Sequence, residues 1–273
     1  MTDEYAVIGN PIGHSKSPQI HAAFACQTKQ NLNYTAQLVE LGQFEKTIAG
    51  FIQQGMRGIN VTVPFKNEAF DLATELSPRA QSAGAVNTLM FSEGRIYGDN
   101  TDGAGLVKDL TQNHQITLQG KRILILGAGG AVQGVLLPII EQQPASITIA
   151  NRTASKAIAL ANKFNEVKKD CAMNGGGFDD LTGQFDIVIN GTAASLQGEV
   201  PPLPDNLLSE NAVCYDMMYA VEPTAFVQWG QQHDAQKSLD GLGMLVEQAA
   251  ESFFIWREVK PDTTDVIHTL RSN

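Results

Sequence analysis

The stretch Lys121-Arg122-Ile123-Leu124-Ile125-Leu126-Gly127-Ala128-Gly129-Gly130-Ala131-Val132-Gln133-Gly134 constrains this chain more than any other. Ile123 to Leu126 is a continuous apolar run, the pattern of a strand buried on both faces of a parallel sheet. Glycines follow at once, and Val132 to Glu141 is an apolar segment compatible with a helix. Strand, glycine turn and helix form the first half of a dinucleotide-binding unit. Glycine turns sharply and lets a pyrophosphate reach the backbone, and the helix N-terminus presents unpaired N–H groups to it. The match to G-x-G-x-x-G is incomplete. Gly127 and Gly129 fit, the third position is Val132, and Gly130 and Ala131 supply the small residues, with Gly134 further along. A glycine turn alone is often only tight packing, so the next strand has to carry part of the argument.

Ser146 to Ala150 reads as that strand, and Asn151-Arg152-Thr153 follows it about 25 residues after Gly127. An NAD-specific fold commonly places Asp or Glu here to hold the ribose 2′-hydroxyl, whereas the 2′-phosphate of NADP needs a cation. This position is neutral and then cationic, with Lys156 close behind. A guanidinium grips phosphate through two bonds and the ammonium adds a second charge, so the expected cofactor is NADP(H).

Composition narrows the class. At 273 residues the chain is long enough for two ordinary domains, and 43% hydrophobic with 18% charged residues predicts a globular protein. A formal net charge of -10 argues against nucleic acid or an anionic membrane as the main partner. An anionic substrate would need a local site of N–H groups, hydroxyls and a few cations. Cys26, Cys171 and Cys214 lie far apart without metal or redox spacing, as in a reducing cytoplasm, and the five histidines form no ligand cluster, so no metal is expected. Thr2-Asp3-Glu4 does not resemble a signal peptide, and no apolar run is long enough to span a bilayer. The expectation is a cytoplasmic protein without a membrane.

The N-terminal half is α/β in its own right. Tyr5 to Ile8 reads as a strand, followed by the loop Gly9-Asn10-Pro11-Ile12-Gly13-His14. In Ser15-Lys16-Ser17-Pro18, Ser17 is the expected helix cap and Pro18 the first helical residue. Two hydroxyls at a helix N-terminus also make a carboxylate site. Asn33 to Val39 reads as a second strand, Gln43 to Gln54 as a helix and Arg57 to Val63 as a third strand. Ligands gather at the carboxyl ends of strands in open α/β sheets, which places Thr62 and Lys66 of Val61-Thr62-Val63-Pro64-Phe65-Lys66 where chemistry is expected. Ala83 to Met90, including Asn87, reads as a small-residue turn entering a strand, Ser92-Glu93-Gly94 as a hairpin turn and Arg95 to Gly98 as its returning partner. Asp99-Asn100-Thr101-Asp102-Gly103-Ala104-Gly105 then precedes a helix over Leu106 to Asn113, and an isolated Asp102 there would ordinarily be a cap.

Beyond the second cofactor-domain strand, Phe185 to Ile189 and Ala212 to Asp216 read as further strands, the latter ending in Asp216-Met217-Met218-Tyr219. Pro223 to Trp229 starts a helix, Asp240-Gly241 is a turn, and Met244 to Trp256 is a helix with apolar residues at helical spacing. Leu245, Ala249 and Phe253 suit packing; Gln248 is the polar exception on or near that face.

Several blocks together resemble the shikimate dehydrogenase family. They are Gly9-Asn10-Pro11-Ile12 with His14-Ser15-Lys16-Ser17-Pro18, Asn60-Val61-Thr62-Val63-Pro64-Phe65-Lys66, Gly84-Ala85-Val86-Asn87-Thr88 and Gly98-Asp99-Asn100-Thr101-Asp102-Gly103. Gly127-Ala128-Gly129-Gly130-Ala131, Asn151-Arg152-Thr153 and Asp240-Gly241-Leu242-Gly243-Met244-Leu245-Val246-Glu247-Gln248-Ala249-Ala250 continue the likeness in order, over essentially the whole chain. Two places depart from it. Asn190-Gly191-Thr192-Ala193-Ala194-Ser195-Leu196 resembles the family's Asn-Ala-Thr loop near the nicotinamide, but carries Gly191 and Ala193 where Ala and Ser are usual. Asn174-Gly175-Gly176-Gly177 reads as an unusually glycine-rich loop.

The resemblance implies an α/β fold of two domains. Residues 1–105 would form an N-terminal α/β substrate domain, 106–239 a Rossmann-type doubly wound NADP domain, and 240–273 C-terminal helices returning to the substrate domain, with a cleft between the domains. It implies reversible reduction of 3-dehydroshikimate to shikimate by NADPH in aromatic amino-acid biosynthesis. Lys66 would be the acid/base, its resting charge left open, with Asp102 as its partner. Ser15 and Ser17 would bind the carboxylate, and Thr62, Asn87, Tyr219 and Gln248 the ring hydroxyls. Gly127, Ala128, Gly129, Gly130, Ala131, Asn151, Arg152, Thr153, Lys156 and Thr192 would hold the cofactor, with Met217 and Gly241 bordering the nicotinamide. The partner is a small molecule, bound by a monomer or homodimer. A quinate/shikimate dehydrogenase using NAD, which Arg152 argues against, and a non-catalytic NADP sensor are the alternatives.

Overall fold

Two six-stranded sheets organise the residues described by the computed structural model, 2–167 and 171–272. They belong to two compact units, Met1–Gly105 with Leu245–Asn273, and Leu106–Met244.

The first unit alternates strand and helix: β1 (Asp3–Gly9), α1 (Ser17–Thr28), β2 (Leu32–Leu38), α2 (Phe44–Gln53), β3 (Gly58–Val61), α3 (Lys66–Leu72), β4 (Glu75–Leu76), α4 (Pro78–Ala83), β5 (Thr88–Ser92), β6 (Arg95–Asp99) and α5 (Asp102–Lys108). Its sheet order is β2-β1-β3-β5-β6-β4. β1, β2 and β3 are parallel, while β5 runs antiparallel to both β3 and β6. Thr88 opposes Asn60 on one side and Asp99 on the other. That register brings the ends of β3 and β6 and the start of β5 to one edge of the sheet. The hairpin closes through Glu93 (φ 51°) and Gly94 (φ 75°), two left-handed residues as a type I′ turn requires. Its core joins Ala6, Ile8, Phe44, Ile48, Ile59, Phe65 and Leu89.

The second unit is wholly parallel, which requires crossover connections between its strands. Its elements are β7 (Arg122–Leu126), α6 (Gly130–Ile140), β8 (Ser146–Ala150), α7 (Ala154–Val167), β9 (Ala172–Gly176), β10 (Phe185–Asn190), β11 (Leu208–Asp216), α8 (Ala225–Gln232) and β12 (Lys237–Leu239), in the order β12-β11-β10-β7-β8-β9. The apolar run of β7 divides with the period of two that a strand imposes. Ile123 and Ile125 join Val132, Val135 and Ile187 in one core, and Leu124 and Leu126 join Val188, Cys214 and Phe226 in the other. Burial on both faces explains why this strand shows no polar alternation.

The chain ends in α9 (Leu242–Arg257) and α10 (Thr264–Ser272). Trp256 Nε1 donates to the Leu89 carbonyl at 3.0 Å, and a Cβ on Gly58 would lie 2.5 Å from that same nitrogen. Glycine at 58 therefore makes the seat for the tryptophan. Arg257 binds Asp3 Oδ2 at 2.5 Å and Gln30 Oε1 at 2.7 Å.

Several local expectations are corrected. The third strand stops at Val61, two residues short of the expected end, and the chain passes into α3, a helix too short to give a periodic signal. Ala83, expected to open a turn, is instead the last residue of α4, with Ser77 Oγ accepting from Ala80 N at the start of that helix and left-handed Gly84 ending it. Ser17 does not cap α1. Lys16 holds that position without a side-chain bond, and Ser15 Oγ instead accepts from Ser17 N at 3.3 Å. The helix expected over 106–113 starts at Asp102 and passes into a π-helical turn, Asp109–Asn113, whose Asp109 is buried against Tyr215 Oη at 2.7 Å. Gly175, in the glycine-rich segment, lies in β9, where a Cβ would meet the Ala157 carbonyl oxygen at 2.4 Å. That glycine lets α7 lie directly on the strand.

Candidate functional site

In the first unit, the sheet edge defined above gathers the polar residues. Lys66 is the first residue of α3 and Asp102 the first of α5. Lys66 Nζ meets Asp102 Oδ2 at 2.5 Å, with side chains 25% and 14% exposed, so the pair is shielded yet reachable. Asp102 Oδ1 accepts from Asn87 Nδ2 at 2.8 Å. Asp102 is thus engaged by two other segments, which explains why a cap reading was insufficient; Asn100 Oδ1 accepts from its backbone N–H at 3.2 Å.

Asn87 is 3% exposed and joins the pieces together. Its Nδ2 also donates to Thr101 Oγ1 at 2.9 Å and reaches Gln248 Oε1 at 3.3 Å, and its Oδ1 accepts from Thr101 N at 2.9 Å. Gln248 Nε2 is tied to the Leu245 carbonyl at 2.8 Å. Behind them, buried Asn60 donates to Thr88 Oγ1 and Ser252 Oγ at 3.1 and 3.0 Å, and accepts from Tyr34 Oη at 2.7 Å. Burial raises the Tyr34 phenol well above its ordinary value, keeping it a donor. The loop bearing Asp102 is anchored from below by Asp99, which accepts from Arg79 Nε and Nη2 at 2.7 and 2.9 Å and from Ser77 Oγ at 2.5 Å. Sequence reasoning gave no role to Asn60, Thr101, Ser252 or Arg79. An Asn inside the otherwise apolar strand Gly58–Val61 was the available signal, since a buried amide must find partners.

Ser15 is half-buried and Ser17 buried, at the start of α1 beyond the end of β1. Thr62 follows β3, parallel to β1, and its N–H donates to the Ile8 carbonyl at 2.9 Å. Ser15, Ser17, Thr62, Lys66, Asn87, Asp102 and Gln248 all belong to the first unit, whereas Tyr219 belongs to the second, half-buried beyond β11 with its phenol pushed up by burial.

In the second unit, strand order reverses between β10 and β7, the position where open parallel sheets bind ligands beyond their carboxyl ends. Gly127 leaves β7 with φ 105° and donates to the Ala150 carbonyl at 2.7 Å, so it needs glycine's conformational freedom. Ala128 follows, half-buried. Among the described residues, nothing beyond the adjoining chain lies within 4 Å of a Cβ on Gly129 or Gly130, so the approach to the first turn of α6 is open. With Ala131 also exposed, the first-turn N–H groups of α6, which lack partners inside the helix, face an accessible space. Arg152, Thr153 and Lys156 are exposed beyond the end of β8, and Asn151 fixes that turn by donating from N to Gly176 O at 3.1 Å and from Nδ2 to Thr153 O at 3.0 Å. Thr192 is held through N and Oγ1 by Asn190 Oδ1, at 3.1 and 2.8 Å. Gly241 N donates to Met218 O at 3.0 Å, and a Cβ there would lie 2.3 Å from the Met217 carbonyl oxygen. Backbone donors with two nearby cations suit an anionic dinucleotide bearing a further phosphate. Among the described residues, no cluster of three His, Cys, Asp or Glu could hold a metal ion, and no helix is long and apolar enough to cross a membrane.

Comparison with known proteins supplies the family. The profile of the shikimate dehydrogenase substrate binding domain matches residues 7–89, that of shikimate / quinate 5-dehydrogenase residues 109–197, and that of the shikimate 5′-dehydrogenase C-terminal domain residues 241–271. The shikimate dehydrogenase (NADP(+)) of Cellvibrio japonicus is 57% identical over 273 residues, covering 99% of this chain and 98% of its own. An Ael1 enzyme from Pseudomonas putida shares the fold with a TM-score of 0.93 at 45% identity, over 98% of each chain. The Thermus thermophilus shikimate 5-dehydrogenase in complex with NADP(H) and shikimate has a TM-score of 0.85 at 28% identity, over 99% of each chain. With such identity sustained from end to end, this chain belongs to the shikimate dehydrogenase family.

Proposed function

We propose that this chain catalyses the reversible reduction of 3-dehydroshikimate to shikimate with NADPH. The observation that carries the reading is the Lys66–Asp102 pair at the sheet edge of a chain 57% identical to an NADP(+) shikimate dehydrogenase. NADPH, when bound, supplies the hydride. The remaining need of a carbonyl reduction is a proton at oxygen, and Lys66 is the residue assigned to deliver or receive it. Asp102 orients the ammonium and accepts from a substrate hydroxyl, while Asn87 keeps the carboxylate from turning. Ser15 and Ser17 bind the carboxylate, and Thr62, Asn87, Tyr219 and Gln248 read the ring hydroxyls. Gly127, Ala128, Gly129, Gly130 and Ala131 receive the diphosphate, Arg152, Thr153 and Lys156 the 2′-phosphate with Asn151 shaping their turn, and Thr192, Met217 and Gly241 border the nicotinamide. Residues 1–105 with 240–273 serve the substrate, and residues 106–239 the cofactor. The unpaired thiols of Cys26, Cys171 and Cys214 support a cytoplasmic setting.

The test is spectrophotometric. NADP+ reduction should be rapid with shikimate, far slower with quinate, and slow when NAD+ replaces NADP+. Preference for quinate or for NAD+ would refute the assignment, and no turnover of any of these pairs would refute the enzyme reading.

A further inference from the structure

The third position of G-x-G-x-x-G, where glycine gives room for close helix–strand packing, is Val132 in this chain, fully buried in α6. The room comes from elsewhere. A Cβ built on Gly191 would lie 2.4 Å from Val132 Cγ2, 3.2 Å from Met217 Sδ and 3.3 Å from the Leu126 carbonyl oxygen. Gly191 is not among the left-handed glycines, so its backbone would accept a side chain. What excludes one is the valine methyl. A β-branched residue in a helix is nearly confined to one χ1 rotamer, so Cγ2 cannot swing aside. Val135 and Leu136 beside it are fully buried as well, and a close-packed interior offers no void to receive the methyl. The glycine missing from the helix is found at the end of β10.

We propose that Val132 and Gly191 form a matched steric pair that positions Thr192 against the glycine turn, and thereby sets cofactor binding. Gly191 N donates to Leu126 O at 2.8 Å, pinning this residue to the end of β7. Thr192, bound to Asn190 by both its N–H and its hydroxyl, has its Cγ2 3.2 Å from a Cβ on Gly127. A side chain at 191 is therefore met by Val132 on one side, and the turn it displaces carries Thr192 away from its contact with Gly127. The inference rests on the reading of this unit as the NADP site.

The test uses calorimetric NADP+ binding and steady-state kinetics on the full chain. Gly191→Ala should weaken NADP+ binding and raise its KM roughly ten- to a hundredfold, the scale of an ångström-sized misplacement, with the KM for shikimate unchanged. Adding Val132→Ala to Gly191→Ala should restore most of the loss. A purely structural role would lower Tm without this split between the two KM values. Gly191→Ala with wild-type NADP+ affinity, or a loss that persists in the double variant, overturns the pair. If Gly191→Ala alone does not fold, the double variant decides: folding with NADP+ binding supports the pair, and failure to fold overturns it. A wild-type chain that does not bind NADP+ overturns the parent reading and the pair with it, whereas a binding wild type beside an indifferent Gly191→Ala overturns the pair alone.

Discussion

Lys66 Nζ and Asp102 Oδ2 stand 2.5 Å apart, although 36 positions separate the two residues in the chain. Each begins a helix that follows a strand, and the strand order of the first sheet brings those two helix starts to one edge. An ammonium and a carboxylate so placed act as one group. Lys66→Ala and Asp102→Ala should each lower kcat by roughly 10²–10⁴-fold, the usual worth of positioned proton transfer, with NADPH affinity nearly unchanged. The double variant should be far less impaired than the product of the single losses. Steady-state kinetics of the four proteins checks this; fully multiplicative losses would mean independent roles, and near-normal kcat in Lys66→Ala would remove it from the chemistry.

Ser15 and Ser17 should act on binding more than on turnover. A carboxylate distant from the reacting carbonyl is held alike in ground and transition states, so these contacts lower KM without raising kcat. Replacing both with Ala should raise the KM for shikimate and leave kcat within a few-fold. A large fall in kcat at unchanged KM would contradict the carboxylate assignment.

Arg152 is exposed beyond β8, where an NAD-specific chain would carry an acid. Arg152→Ala should weaken NADP+ by about 1.5–3 kcal/mol, the worth of a charge-assisted hydrogen bond, and leave NAD+ little changed. Dissociation constants for the two cofactors measure this directly, and equal losses for both would refute the phosphate contact.

His21 should make the protein acid-sensitive. It is wholly buried and stacked on Tyr34 with ring centroids 4.1 Å apart. Burial disfavours the charged form and lowers its pKa to about 3. Between that value and the ordinary one of about 6.5 the unfolded chain binds a proton that the folded chain refuses. Stability therefore falls as pH drops through this window, by up to ~2 kcal/mol from pH 6.5 to 5. In His21→Phe, which keeps a planar ring, this part of the slope should vanish. Denaturant midpoints at several pH values test it, and an unchanged slope would exclude His21 as the source.

The alternation of strand-length and helix-length segments, the buried run Ile123–Leu126 and the glycine turn after it made the α/β class legible from sequence, because a strand covered on both faces must be apolar throughout. The absence of an acid after Ala150 was legible too, since cofactor charge has to be answered at a fixed offset from that turn. Short α3 and α4 were not, being stabilised by tertiary packing and a cap rather than by periodicity. Nor was the bond from Asn87 to Asp102, nor the buried Tyr34–Asn60–Ser252 network behind it, whose members lie up to 192 positions apart between direct partners. The same holds for Val132 and Gly191, each of which reads in isolation as a lapse from a motif. Sequence determines what each residue is able to do chemically; only the fold decides which residues meet, because hydrogen bonds and steric contacts act over a few ångströms of space and not along the chain.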